Sequence, residues 1–161
     1  MQITIQWQRP IRLTKNRKLL ITNDNIPECI EDKPGVYFFS RKFGNVLVPF
    51  YIGESKEIRK RLKFHLNSVP IYKVLSGISS DTKIKNGPRY FHYGYLTGNA
   101  AEPLARRRRL ITQKHMIREA VEDGIPILNN NLVKFKTHTL TFNGTSQARA
   151  IFEETATVEA M

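Results

Sequence analysis

At 161 residues the chain suits one domain with a sizeable core, and 40% hydrophobic residues describe an ordinary globular protein. A net charge of +12, from 26 Lys and Arg against 14 Asp and Glu, points to a polyanionic partner, the plain alternative being basicity that only solubilises. The single cysteine, Cys29, excludes an internal disulfide, and the longest apolar run, Val46 to Ile52, is too short to span a bilayer; without a signal-like N-terminus, a cytoplasmic protein with no membrane partner is expected.

Residues 2 to 22 alternate around Ile3, Ile5 and Trp7 and run on to Ile21, which predicts one or two strands. They either cover a sheet edge or carry Arg9, Arg12, Lys15, Arg17 and Lys18 to a nucleic acid. Gly35-Val36-Tyr37 and Tyr51-Ile52-Gly53 then flank a stretch with Gly44 and Asn45 at its middle, the pattern of a β-hairpin. Antiparallel pairing would bring Tyr37 and Tyr51 close. A helix follows, with Ser55 as the expected cap and Glu57 in its first turn; Ile58, Leu62 and Leu66 form its buried stripe, and Arg61 and His65 share a neighbouring face.

Ile71 to Ile78 reads as a short helix, "SSDTKIKNGP" as an exposed loop and "RYFHYGYL" as a strand. A longer helix is expected from Glu102-Pro103 to Gly124, with Leu110, Ile117 and Val121 on its buried face. Residues 132 to 142 alternate as a further strand, and the last ten are either a short helix or disordered. The sum is an α+β fold, a small antiparallel sheet flanked by helices with extra N- and C-terminal strands, forming one domain over 1–161 with a core at 31–131 and additions at 1–30 and 132–161.

The two tripeptides, Arg61 and His65 resemble the pattern of the GIY-YIG nuclease family over roughly a hundred residues. Asn129 in "GIPILNNN" stands at that family's asparagine. The resemblance implies a DNA endonuclease that hydrolyses phosphodiester bonds with Mg²⁺ or Mn²⁺. Tyr37 would orient or deprotonate the attacking water, with Arg61 supplying the nearby cation that a phenol of pKa near 10 requires. The Arg61 fork would also hold nonbridging phosphate oxygens. His65 would relay a proton or bond the phosphate, Tyr51 would bond the phosphate or Tyr37, and Asn129 would hold the active-site loop or a phosphate.

The family's metal-binding glutamate falls four residues before Ile117, and that position is Gln113. A neutral amide removes a unit of charge where a divalent ion prefers anionic oxygen, so binding and turnover should both drop. Three explanations stay open: a deliberate Glu-to-Gln change that traps an uncleaved complex, a natural inactivation, or service by another carboxylate. Glu119 and Glu122 lie about 240° and 180° around the helix from position 113, and Glu102 lies about 16 Å along it. The alternative function is a nucleic-acid-binding module that keeps the scaffold and does not cut.

Lys56, Lys60 and Lys63 on the first helix, and Arg106 and Arg109 within about 40° of Gln113 on the long helix, are the expected DNA-binding residues. Phosphate contacts of this kind position DNA without reading its sequence. One site cuts one strand at a time, so cutting a duplex would take a homodimer or successive nicks.

Overall fold

The computed structural model describes residues 1–77, 84–129, 137–141 and 155–159. The chain divides into two compact units, Met1–Asn129 and Asn130–Met161, where one domain over 1–161 was expected. The first unit is an α+β fold. Its strands are β1 (Ile5–Trp7), β2 (Ile11–Arg12), β3 (Thr14–Lys15), β4 (Lys18–Leu19), β5 (Gly35–Phe43), β6 (Val46–Ser55) and β7 (Arg89–Leu96). Its helices are α1 (Ile58–Asn67), α2 (Val69–Leu75) and α3 (Glu102–Glu122). In the second unit β8 (Thr137–Thr141) pairs antiparallel with β9 (Thr155–Glu159).

The hairpin predicted between the tripeptides forms. Gly44 takes φ of 56° in the turn, a left-handed conformation that a glycine adopts without Cβ strain. Tyr37 pairs with Gly53 and Phe39 with Tyr51, and the register shifts between Phe39 and Ser40. β7 lies on the other side of β5, pairing Tyr37 with Tyr93, and β1 and β2 both pair with β7. The sheet order is therefore β1-β7-β5-β6, fully antiparallel, with the N-terminal strands covering the edge of β7. Two glycines allow the strands to meet: a Cβ on Gly35 would lie 2.0 Å from the Gly94 carbonyl oxygen, and one on Gly94 would meet Ile5 and Trp7.

Strand alternation gives the sheet two different faces. Tyr37, Phe39, Phe91 and Tyr93 point toward α1 and α2, where Ile58, Leu62, Leu66, Ile71, Val74 and Leu75 complete the main core. Each buried aliphatic side chain there contributes about 1.5–3 kcal/mol. Phe38 and Ile52 point the other way, against Met116 and Ala120 of α3.

The outer edge of β6 is covered as well. Leu128 N–H donates to the Phe50 carbonyl at 2.8 Å, and the Asn129 amide then bonds both Ile52 N–H and Ile52 C=O. A side-chain amide thus continues the ladder where the strand would otherwise stand open.

Several local expectations are corrected. β6 runs on to Ser55, so Ser55 is not the helix cap; Glu57 is, without a side-chain cap bond, and the Ser55 hydroxyl instead exchanges bonds with the Glu57 backbone. The buried face of α3 is Ala105, Arg109, Gln113, Ile117 and Ala120, whereas Val121 is exposed and Leu110 only half-buried. The N-terminal stretch makes four short strands rather than one or two. The tail holds a strand, β9, not a helix. Residues 78–83, 132–136 and 142, parts of the predicted short helix, loop and strand, lie outside the described residues. No helix among the described residues is long and apolar enough to cross a membrane.

Candidate active site

Tyr37, Tyr51, Arg61 and His65 are brought together. The Tyr37 and Tyr51 rings stack at 6.4 Å between centroids, and the His65 ring lies 5.5 Å from the first and 5.0 Å from the second. The cluster follows from two periodicities: a two-residue alternation puts both tyrosines on the α1 side of the sheet, and the helical spacing Leu62-His65-Leu66 turns His65 into the same interior. Gly53 belongs to this arrangement. A Cβ there would fall 2.3 Å from both Cζ and Oη of Tyr37, so the glycine makes room for the phenol.

The Tyr37 hydroxyl and His65 Nε2 are 2.7 Å apart, and both residues are buried. Burial, with Arg61 nearby, lowers His65 to about 4, so the ring is neutral at pH 7. Burial also pushes the Tyr37 phenol well above its usual range, helped by Tyr51 and opposed by the charge and hydrogen bonding of Arg61. At neutral pH Tyr37 therefore keeps its proton.

His65 Nδ1 is buried without a hydrogen-bond partner among the described residues. A proton on Nδ1 would leave a buried N–H unsatisfied, which is rarer and costlier than an unsatisfied acceptor, so the favoured tautomer carries its proton on Nε2 and donates to Tyr37 Oη. The phenol oxygen then accepts, and its own proton is turned toward the Tyr51 hydroxyl, whose hydrogen bond helps to keep Tyr37 protonated. Arg61 is exposed beside the pair, its guanidinium 5.5 Å from the centroid of the exposed Phe64 ring. The chemistry available is a fork of cationic donors next to a protonated phenol held by a neutral imidazole.

Nothing among the known family models, curated proteins or solved structures matches this chain.

Gln113 and Asn129 meet elsewhere, at the backbone of Ile52. Gln113 Nε2 donates to the Ile52 carbonyl at 3.2 Å, and Asn129 Nδ2 donates to the same oxygen. Both amides thus fasten the middle residue of Tyr51-Ile52-Gly53, and Asn129 holds the strand that carries Tyr51. The residues present do not fit a divalent ion at position 113. The side chain there is neutral and buried, it spends its amide on Ile52, and among the described residues no group of three or more His, Cys, Asp or Glu is placed to hold a metal.

The neighbouring carboxylates are committed to an arginine. Arg109, expected on the DNA-facing surface, is 3% exposed and bonds Glu54 at 2.7 Å and Glu102 at 3.1 Å. The expectation fails because Arg109 lies on the buried face of α3, one turn from Gln113, where its charge needs a protein partner. Arg59 also turns inward, donating to the carbonyls of Ile26, Pro27 and Ile30.

Lys56, Lys60, Lys63 and Arg106 are exposed. Lys60 pairs with Glu57 one turn earlier, a contact of little energetic weight at the surface. Lys56, in the turn between β6 and α1 rather than on the helix, and Arg106 of α3 converge on Glu102, whose carboxyl is held below its usual range first by Arg109 and then by these two cations. Sequence reasoning missed Glu54 and Arg89. Glu54 stands outside the tripeptides, and nothing in "RYFHYGYL" shows that its first residue is fully buried.

Proposed function

We propose that the Tyr37, Tyr51, Arg61 and His65 cluster engages a DNA phosphodiester as an endonuclease site of the GIY-YIG type, present here in a form disabled at position 113. The observation that carries this is the 2.7 Å contact between Tyr37 and His65 beside Arg61, built by the elements that hold the two tripeptides. Arg61 grips the nonbridging oxygens, and the Tyr37 O–H turns from Tyr51 to donate to the phosphate or to a water beside it. Neutral His65 keeps the phenol oriented. Lys56, Lys63 and Arg106 supply sequence-independent contacts to neighbouring phosphates.

A second reading, a module that binds without cutting, is favoured by the bond from Gln113 to Ile52, which gives this amide a structural task. Incubating the protein and a Gln113→Glu variant with plasmid and single-stranded DNA in Mg²⁺ or Mn²⁺ separates them. The expected outcome is DNA binding by both and cutting by the variant alone, with Arg61→Ala in the variant background abolishing cleavage and leaving much of the binding. Binding without cleavage by both would replace the nuclease reading with the binding module. Failure of both folded proteins to bind DNA would end either reading.

A further inference from the structure

At the other end of the α1-facing side of the sheet lies a cavity of about 420 Å³, unrelated to the tyrosine cluster. Arg89, which pairs with Arg41 at the start of β7, forms its floor, four residues or about 13 Å along β5 from Tyr37. Arg12 and Arg17, on either side of β3, supply two more guanidinium groups, and Ser76 and Asn86 add neutral polar groups.

Three observations give the cavity a sign. Among the described residues, none that lines it is Asp or Glu, and none of the three arginines forms an ion pair. Arg89 is 2% exposed; its donors reach only carbonyls, those of Val74 at 3.3 Å and Lys85 at 2.9 Å, and its guanidinium lies 5.3 Å from the centroid of the Phe50 ring. A buried cation served by dipoles alone leaves positive potential uncompensated. The Ser76 hydroxyl, also lining the cavity, is buried with no hydrogen-bond partner among the described residues. An anion with several oxygens would satisfy all of these groups at once.

We propose that this cavity is a phosphate-binding subsite that takes one phosphate-bearing nucleotide. Its volume lies within the range of small-ligand pockets and far exceeds that of a phosphate alone, leaving room for a nucleoside against Leu75 and Pro88. Arg12, Arg17 and Arg89 take the phosphate oxygens, and the Ser76 hydroxyl donates to one of them. Burial, with Arg41 alongside, lowers Arg89 to about 10; it is therefore still charged at neutral pH, and a bound anion relieves the crowding. The nucleotide is either free or the phosphorylated end of a strand. The cavity assignment does not depend on the tyrosine cluster being a nuclease site.

Calorimetric titration with deoxyadenosine 5′-monophosphate, with deoxyadenosine and with a short oligonucleotide bearing either a 5′-phosphate or a 5′-hydroxyl tests this. The monophosphate should bind and the nucleoside should not. Arg17→Gln, at an exposed turn position, should weaken the monophosphate at least threefold, and Arg12→Gln with Arg17→Gln at least tenfold. Arg61→Ala should leave it unchanged, which keeps this result separate from the fate of the tyrosine cluster. A tenfold gain from the oligonucleotide's 5′-phosphate, lost in the double variant, would identify a strand end as the source; a response to the monophosphate alone would identify a free nucleotide. Equal binding of nucleoside and monophosphate, or undiminished binding by the folded double variant, would overturn the proposal.

Discussion

His65 concentrates the chemistry of the site in one side chain. A histidine buried neutral stabilises the fold only while it stays neutral, because the unfolded chain takes up a proton near pH 6.5 whereas the folded chain resists until about 4. The contribution is fully present above pH 6.5 and is lost as pH falls through that window. His92, held at about 4 by burial alone, acts in the same direction from its bond to Ser40. Denaturant unfolding between pH 8 and pH 4 should show stability falling with acidity, on the order of 2–3 kcal/mol for each histidine. His65→Gln should flatten the curve. Parallel curves for the two proteins would mean that His65 is not held neutral.

Among the elements, α3 departs most from its sequence pattern. Leu110, Ile117 and Val121 look like an apolar stripe, yet only Ile117 of the three is buried. The stripe misleads because the sheet offers α3 polar groups: the Ile52 carbonyl draws in Gln113, and Glu54 draws in Arg109. Arg109→Ala should cost about 3 kcal/mol, the low end for breaking a buried ion pair, since Glu54 and Glu102 keep access to water. Asn129→Ala strips the edge of β6 and should cost about 1–3 kcal/mol through an unsatisfied Ile52 N–H. Equilibrium denaturation reads both, and unchanged midpoints would make these contacts incidental. The hairpin, α1 and β7 were legible because their periods are clean and their turn carries Gly44-Asn45. The Tyr37, Tyr51 and His65 grouping followed from the same periods. Position 113 could be counted in the sequence, but its bond to a backbone carbonyl could not, since residue spacing says nothing about where a strand's open edge will lie.

For the molecule as a whole, a charge of +12 sets how binding responds to salt. If Lys56, Lys60, Arg61, Lys63 and Arg106 each meet a phosphate of a DNA duplex, the logarithm of affinity should fall with the logarithm of salt at a slope of about −4 to −5. Arg106→Ala should reduce that slope by about 0.9, and Arg109→Ala should leave it alone because its charge is neutralised internally. Fluorescence titrations at several salt concentrations measure this, and an equal loss from Arg109→Ala would return that residue to the DNA surface. The pairing of β1 with β7 has a kinetic side. Ile5 meets Leu96 about 90 residues further along, whereas β5 and β6 meet across a tight turn. Closing so large a loop is slow, and it becomes favourable only once β7 has a partner to lie against. β1 should therefore be among the last elements to dock, and in pulse-labelled refolding its amides should gain protection after those of β5 and β6.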